Sequence, residues 1–272
     1  MLVYIWPVQL LTLLFYLFPF HGELSVRIAE KTAAIRENPN NLILYMQRGE
    51  LHLQHENPDS AIIDYEYALK HGIDTSTIHV LAAEAYLAAG RYDSGLEQVN
   101  QFLRMEPEHL KGFHTRGKIY EAKNEFLKAR ADFTLVIEKA ETARPQDYIH
   151  LANLHLKIDS LDSKSAIETL EFGISRLGNI VSLQMMIYEL YRADKNYELA
   201  HSKLDEMMEP LNRKERLLVE KAELFLAQNK PIEAAETITQ AENSIATLHP
   251  RLQNSGATKK LMETIEKLKQ QL

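Results

Sequence analysis

The 272-residue sequence contains no cysteine. Disulfides, thiolate zinc sites, iron–sulfur clusters and thiol nucleophiles are therefore excluded for this chain, as is lipid attachment through a cysteine. Glycine and proline are sparse, at 10 and 9 residues. That leaves little room for disordered stretches and argues against an all-β fold, which needs many Gly/Pro turns. Positive charge is outweighed: 31 Lys and Arg stand against 38 Asp and Glu, for a formal net charge of −7. Nucleic-acid binding relies on clustered Lys and Arg to neutralise phosphates, so no nucleic-acid partner is expected. No phosphate loop, Gly-x-Ser-x-Gly elbow or His-Glu-x-x-His motif occurs, and no cofactor is expected.

What is present begins with an apolar run. Leu2 to Phe20 is interrupted only by Pro7, Gln9, Thr12 and Pro19, and the first charged side chain is Glu23. A run this apolar reads as membrane-directed: residues 1–22 form either a cleaved signal peptide or a retained anchor. The flanks leave both open. No basic residue precedes the run, and the residues before possible cuts, Phe18, Phe20 and Gly22, are mostly bulky. Either way the remainder is expected to be exported: periplasmic, secreted or membrane-anchored, touching a membrane only through this segment if it is not removed.

The rest of the chain is periodic. Arg48-Gly49 recurs as Arg116-Gly117, 68 residues or twice 34 later, with Ala82-Ala83 midway. Units laid out from Leu42, Ser76 and Leu110 stack small residues at the eighth position (Gly49, Ala83, Gly117) and rings at the eleventh (His52, Tyr86, Tyr120). Small residues return at the twentieth (Ala61, Gly95, Ala129), and bulky ones fill the twenty-fourth (Tyr65, Val99, Phe133). Two antiparallel helices that cross closely need a small residue where the backbones meet and a large one a turn away to fill the groove. A helix pair alone cannot bury its apolar face, so such pairs stack.

This pattern resembles the tetratricopeptide repeat family, whose unit is a 34-residue helix–turn–helix. The resemblance implies an all-α, right-handed α–α superhelix of about six helix pairs. Residues 23–41 read as a leading helix that caps the start of the stack, with Ala34 and the terminating Pro39 in phase. Residues 42–143 form three well-matched units. Residues 144–248 form three divergent ones, the fourth accommodating about two extra residues near Asp159–Ser163. In the last stretch, 249–272, a linker precedes a capping helix striped by Leu261, Ile265, Leu268 and Leu272. A partner-binding amphipathic helix is the alternative reading of that stripe.

In this family the first helix of each pair lines the concave groove through repeat positions two, five, nine and twelve. Carried over, the candidate groove residues are Met46, Glu50, Leu53, Val80, Glu84, Leu87, Lys111, His114, Lys118, Asn153, Glu189, Arg192 and Glu223. The ninth position makes an interrupted carboxylate stripe with apolar neighbours, suited to an extended protein or peptide segment carrying basic and apolar residues. These Glu could equally serve only to pair with neighbouring cations and keep the face soluble. The family's clamp for chaperone carboxylate tails is not matched. Its positions hold Met46, Glu50, Leu81, Lys111 and Thr115, of which Lys111 alone fits.

Little suggests chemistry. His52 and His155 occupy the ring position that packs between helices, so no metal site is expected, and a copper site at His21 would need a cut directly before it. A helical-solenoid hydrolase using a lone Glu has no residue to mark it. The sequence reads as a non-catalytic interaction scaffold; an accessory subunit of an envelope enzyme or export complex is the alternative.

Overall fold

The computed structural model describes residues 19–141 and 143–272. The apolar run up to Phe18, which carries most of the expected signal or anchor, lies outside the described residues. Among those described, no helix is long and apolar enough to cross a membrane. The described chain is all helical, in fifteen helices, and divides into two compact units, Met1–Glu141 and Thr142–Leu272.

The first unit holds α1 (Pro19–Glu37) and three helix pairs: α2 (Leu42–Gln54) with α3 (Pro58–Lys70), α4 (Ser76–Ala88) with α5 (Tyr92–Met105), and α6 (Leu110–Ala122) with α7 (Phe126–Lys139). First helices begin at 42, 76 and 110 and second helices at 58, 92 and 126, so each pair repeats the last after 34 residues. Helix α1 packs on α2 and contributes Ile35 to a core with Tyr45, Ala61 and Tyr65. It starts at Pro19, inside the end of the apolar run, rather than at residue 23.

The periodic residues do the packing the pattern implies. A Cβ added to Gly49 would sit 2.6 Å from Cε1 of the Tyr65 ring, and one added to Gly117 would sit 3.1 Å from the Phe133 ring. The end of a ring from the second helix thus reaches the bare backbone of the first, which only a missing side chain permits. Between pairs, Gly112 plays the same part: a Cβ there would fall 2.5 Å from Leu103 and 2.7 Å from Phe102. Two buried ion pairs add a polar link. Arg48 donates from Nε and Nη2 to Asp64 at 2.9 and 2.6 Å, and Arg116 does the same to Asp132 at 2.8 and 2.7 Å. Each guanidinium also reaches the preceding second helix or leading helix, Arg48 to Thr32 and Arg116 to Asn100. The middle pair instead places buried His79 between Gln98 and Asp74, both at 2.8 Å.

The second unit holds α8 (Pro145–Ile158) with α9 (Ser163–Leu177), α10 (Val181–Ala193) with α11 (Tyr197–Met208), and α12 (Glu215–Ala227) with α13 (Pro231–Ala246). A four-residue helix α14 (Pro250–Gln253) and a closing helix α15 (Gly256–Lys269) follow. Ser255 caps α15 by accepting the Thr258 N–H at 3.2 Å. Helix α15 packs on α12 and α13, burying Ile265 and Leu268 in the same core as Ala222 and Ile238. Leu272 lies past the helix end and stays 49% exposed, so the buried stripe stops at Leu268.

One turn recurs through both units. The fifteenth residue of five pairs is left-handed: Glu56, Gly90, Asn124, Lys195 and Asn229, with φ of 57°, 73°, 59°, 56° and 57°. The following N–H reaches back to the carbonyl five residues earlier, as in Asn57 to His52 at 2.8 Å and Asn196 to Tyr191 at 2.9 Å. This αL closure satisfies the last carbonyls of the first helix and reverses the chain. The fourth pair lacks it. There Asp159 stays extended, its carboxylate accepts the Leu161 N–H at 2.9 Å, and Asp162 caps α9 through the Ser165 N–H at 3.1 Å. Here α9 starts two residues later, counted from the start of α8, than the second helix of any other pair: one extra residue lengthens α8 and one lengthens the link, from which Leu161 projects, 87% exposed.

Candidate partner-binding faces

Each first helix spends one side on packing. Its fourth and eighth positions are buried or half-buried against the second helix and the neighbouring pair, which leaves the opposite side at the surface. In the first unit that surface carries Met46, Leu53, Glu84, Leu87 and His114 half-buried, and Glu50, Lys111 and Lys118 exposed. Val80 departs from the expectation. It is only 4% exposed, packed against Phe102 and Leu103, and supports the face from beneath rather than lining it. Glu84 on α4 meets Lys111 on α6 at 3.2 Å, tying two first helices together across this surface. His114 is held edge-on against the Phe133 ring, 5.8 Å between centroids.

Against Gly49, next to Glu50 in the chain, lies Tyr65. Its side chain is fully buried and its hydroxyl has no hydrogen-bond partner among the described residues. The ring atoms nearest Gly49 are Cε1 and Cζ, so the hydroxyl end lies against α2 beside Glu50. Burial, then the carboxylates of Glu50 and Glu84, raise the Tyr65 hydroxyl well above its ordinary pKa.

The second unit has a denser arrangement. Asn153 and Glu189 are exposed, and Arg192 and Glu223 are half-buried. Arg192 lies 3.6 Å from Glu189 on the same helix. To these the structure adds Glu220, on α12 one turn before Glu223. Burial, then the neighbouring charges of Glu223 and Glu189, raise the Glu220 carboxyl above the usual range, with Arg216 and Arg192 opposing. Tyr188 is fully buried and its hydroxyl, like that of Tyr65, has no partner among the described residues. Burial, followed by Glu220, pushes it up to about 12; Glu189 and Glu223 add to this and Arg192 works against it. Sequence reasoning passed over Glu220 because it stands at the sixth position, one turn off the expected stripe. The two tyrosines were passed over because their positions read as core.

The histidines singled out by position behave as core or edge groups. His52 is pushed below its ordinary pKa by burial, and His155 Nδ1 lies 3.8 Å from Asp162. Among the described residues, no three His, Asp or Glu side chains converge as metal ligands would.

Residues 80–147 match the family model of the tetratricopeptide repeat. A stretch of 91 residues is 28% identical to a tetratricopeptide repeat and J domain-containing co-chaperone of Cryptococcus neoformans, covering 34% of this chain and 17% of that protein. A stretch of 67 residues is 33% identical to the peptidyl-prolyl cis-trans isomerase PASTICCINO1 of Arabidopsis thaliana, covering 25% of this chain and 11% of that protein. The chain therefore spans only a small part of these relatives. Among solved structures, the C-terminal part of a TPR repeat-containing protein from Cytophaga hutchinsonii superposes with a TM-score of 0.66 at 14% identity, covering 92% of this chain and 96% of that one. A tetratricopeptide repeat protein from Parabacteroides merdae superposes with a TM-score of 0.53 at 22% identity, covering 92% and 95%. The fold is of the tetratricopeptide-repeat type.

Proposed function

We propose that this protein is a non-catalytic scaffold that holds extended segments of other proteins against the free faces of its first helices. The observation that carries the reading is the division of labour along those helices. One side is consumed by packing, while Met46, Glu50, Leu53, Glu84 and Leu87 remain at the surface as a mixture of apolar side chains and carboxylates. Such a mixture suits a segment with Lys or Arg spaced among apolar residues: apolar contact supplies affinity and opposite charge supplies orientation. The apolar run from Leu2 supports placing the scaffold in the cell envelope or outside the cell, with any membrane contact made through that run.

The likeness to a co-chaperone does not extend to binding acidic C-terminal tails. Of the clamp positions, Glu50 is acidic and Thr115 is buried, so no affinity for such tails is expected. A second reading, a stable subunit of an envelope enzyme or export complex, is favoured by apolar side chains exposed away from the first helices: Ile63, Leu127, Leu161 and Ile232.

The test is affinity capture with the full chain and with a Glu50→Lys/Glu84→Lys variant in parallel, read by mass spectrometry. Proteins kept by the wild type and lost by the variant support face binding. Equal retention by both contradicts it for the first unit and favours the subunit reading.

A further inference from the structure

The links between neighbouring first helices of the first unit are uneven. Helices α2, α4 and α6 succeed one another at intervals of 34 residues, and each packs on the next. Between α4 and α6, Lys111 reaches Glu84 at 3.2 Å. The second position of one first helix thus neutralises the ninth position of the first helix before it. One repeat earlier the same two places hold Thr77, on α4, and Glu50, on α2. Thr77 is exposed and carries no charge. Glu50 is also exposed and, unlike Glu84, has no ion pair among the described residues. The carboxylate is kept at this boundary and its cation is not.

A second observation singles out the same place. The Tyr65 ring meets the backbone of α2 end-on: a Cβ added to Gly49 would lie 2.6 Å from Cε1 and 2.8 Å from Cζ. Cζ bears the hydroxyl, which therefore reaches α2 at the residue before Glu50. The side chain is fully buried, and the hydroxyl has no hydrogen-bond partner among the described residues. After burial, Glu50 does most to raise its pKa. Two repeats on, Lys118 stands in place of Glu50, and the matching ring against Gly117 is Phe133, which has no hydroxyl. Phe133 fills its groove without one, so packing does not require the oxygen of Tyr65. Burying a hydroxyl without a partner is unfavourable for an isolated fold.

We propose that Glu50, with Thr77 across the boundary between α2 and α4, receives one cationic side chain of a partner, the ammonium of lysine or the guanidinium of arginine, in the place that Lys111 fills one repeat later. This rests on reading the first-helix faces as partner-binding. It deepens that reading by naming the group recognised, and it sets Glu84 aside because Lys111 already answers it. The cation donates to the Glu50 carboxylate. The Tyr65 hydroxyl is the positioning group: when a bound segment excludes water from Glu50, its O–H is the donor at hand for the same carboxylate. Met46 and Leu53, half-buried one turn to either side of Glu50, contact the apolar neighbours of the cation in the segment.

The test is selection of a random heptapeptide display library on the immobilised full chain at pH 7, repeated on Glu50→Gln, Thr77→Lys, Glu84→Gln and Tyr65→Phe. The wild type is expected to enrich Lys or Arg at one fixed position roughly tenfold. Glu50→Gln should abolish that preference, and so should Thr77→Lys, which supplies from within the cation that the boundary lacks. Glu84→Gln should retain it. Tyr65→Phe should weaken it about threefold, the worth of one hydrogen bond. Enriched peptides without a fixed cation would overturn the proposal and leave the scaffold reading intact. The same holds for a preference that survives Glu50→Gln or Thr77→Lys, that Glu84→Gln also removes, or that Tyr65→Phe leaves untouched. Failure to enrich any sequence would overturn both.

Discussion

The two compact units build the same helix pairs with different means. In the first, the seventh and twenty-third positions of the outer pairs carry Arg48–Asp64 and Arg116–Asp132, two-pronged ion pairs that join first helix to second. In the second unit those positions hold Leu151 and Thr169, Ile187 and Lys203, and Lys221 and Thr237. The threonines satisfy their hydroxyls locally, on the carbonyls of Ser165 and Glu233 at 2.9 and 2.7 Å, and leave the cross-helix link to apolar contact. The eighth position changes as well: Gly49 and Gly117 of the first unit admit a ring from the second helix, whereas in α10 the first helix supplies its own ring, Tyr188. What both units keep is a small residue at the twentieth position. Ala61, Ala129, Ala166, Ala200 and Ala234 are all fully buried. The close crossing at the start of the second helix is thus the fixed requirement of this architecture, and the link between helices is negotiable.

Mutations distinguish the two ways of joining a helix pair. The largest effect is expected at the rings. Tyr65→Ala and Tyr188→Ala should each cost about 3–5 kcal/mol, the range for removing a large buried side chain, despite their different positions. If only one does, as measured by urea unfolding, the two rings are not equivalent fillers. Next come the polar links. Asp132→Ala strands a largely buried guanidinium and should cost about 3 kcal/mol, whereas Thr237→Ala at the matching position should cost roughly 1 kcal/mol. Equal losses would erase the distinction between units. The shared turn offers a smaller effect. Lys195 holds a positive φ that penalises a side chain, so Lys195→Gly should raise stability by about 0.5–1 kcal/mol, and Gly90→Ala at the same position of the first unit should lower it by about 1 kcal/mol. Thermal midpoints would read both.

The least effect concerns the crowded carboxylates. The folded pKa of Glu220 is raised above its unfolded value, so between the two the folded chain holds the extra proton and stability falls as pH rises. At pH 7 the ionised group detracts from stability. Glu220→Gln should therefore raise the thermal midpoint at pH 7, and the gain should vanish below the ordinary glutamate pKa of about 4.3. A gain of equal size at pH 7 and pH 3.5 would show that the ionised carboxylate, half-buried and beside Glu223 and Glu189, is not its cause.

Much of this fold is legible in the sequence because helix pairing demands size at fixed intervals. Gly49, Ala61, Gly95 and Ala129 announce both the period and the crossing points. The left-handed turn is less legible. Glycine would advertise it, but only Gly90 does; Glu56, Asn124, Lys195 and Asn229 adopt the same conformation because the hydrogen bond that closes the turn outweighs the strain. Helix α14 is hidden for another reason, since four residues are too few to show a period. The candidate faces are legible only in outline. Val80 stands in phase with the exposed residues, yet bare Gly112 lets α6 approach until Phe102 and Leu103 close over it. The electrostatic link between Glu220 and Tyr188 arises only because α10 and α12 contribute to one core, which no local pattern records.

Whether partners are held by first helices is read by hydrogen–deuterium exchange of the full chain with and without a bound partner segment, such as a peptide from a protein identified by affinity capture. The surface of a first helix gains protection when a segment lies on it. Added protection confined to α2, α4 and α6, or to α10 and α12, is the expected result. Protection that appears instead on α3, α7, α13 or α15 would contradict it and move the binding surface to the second helices or the closing helix.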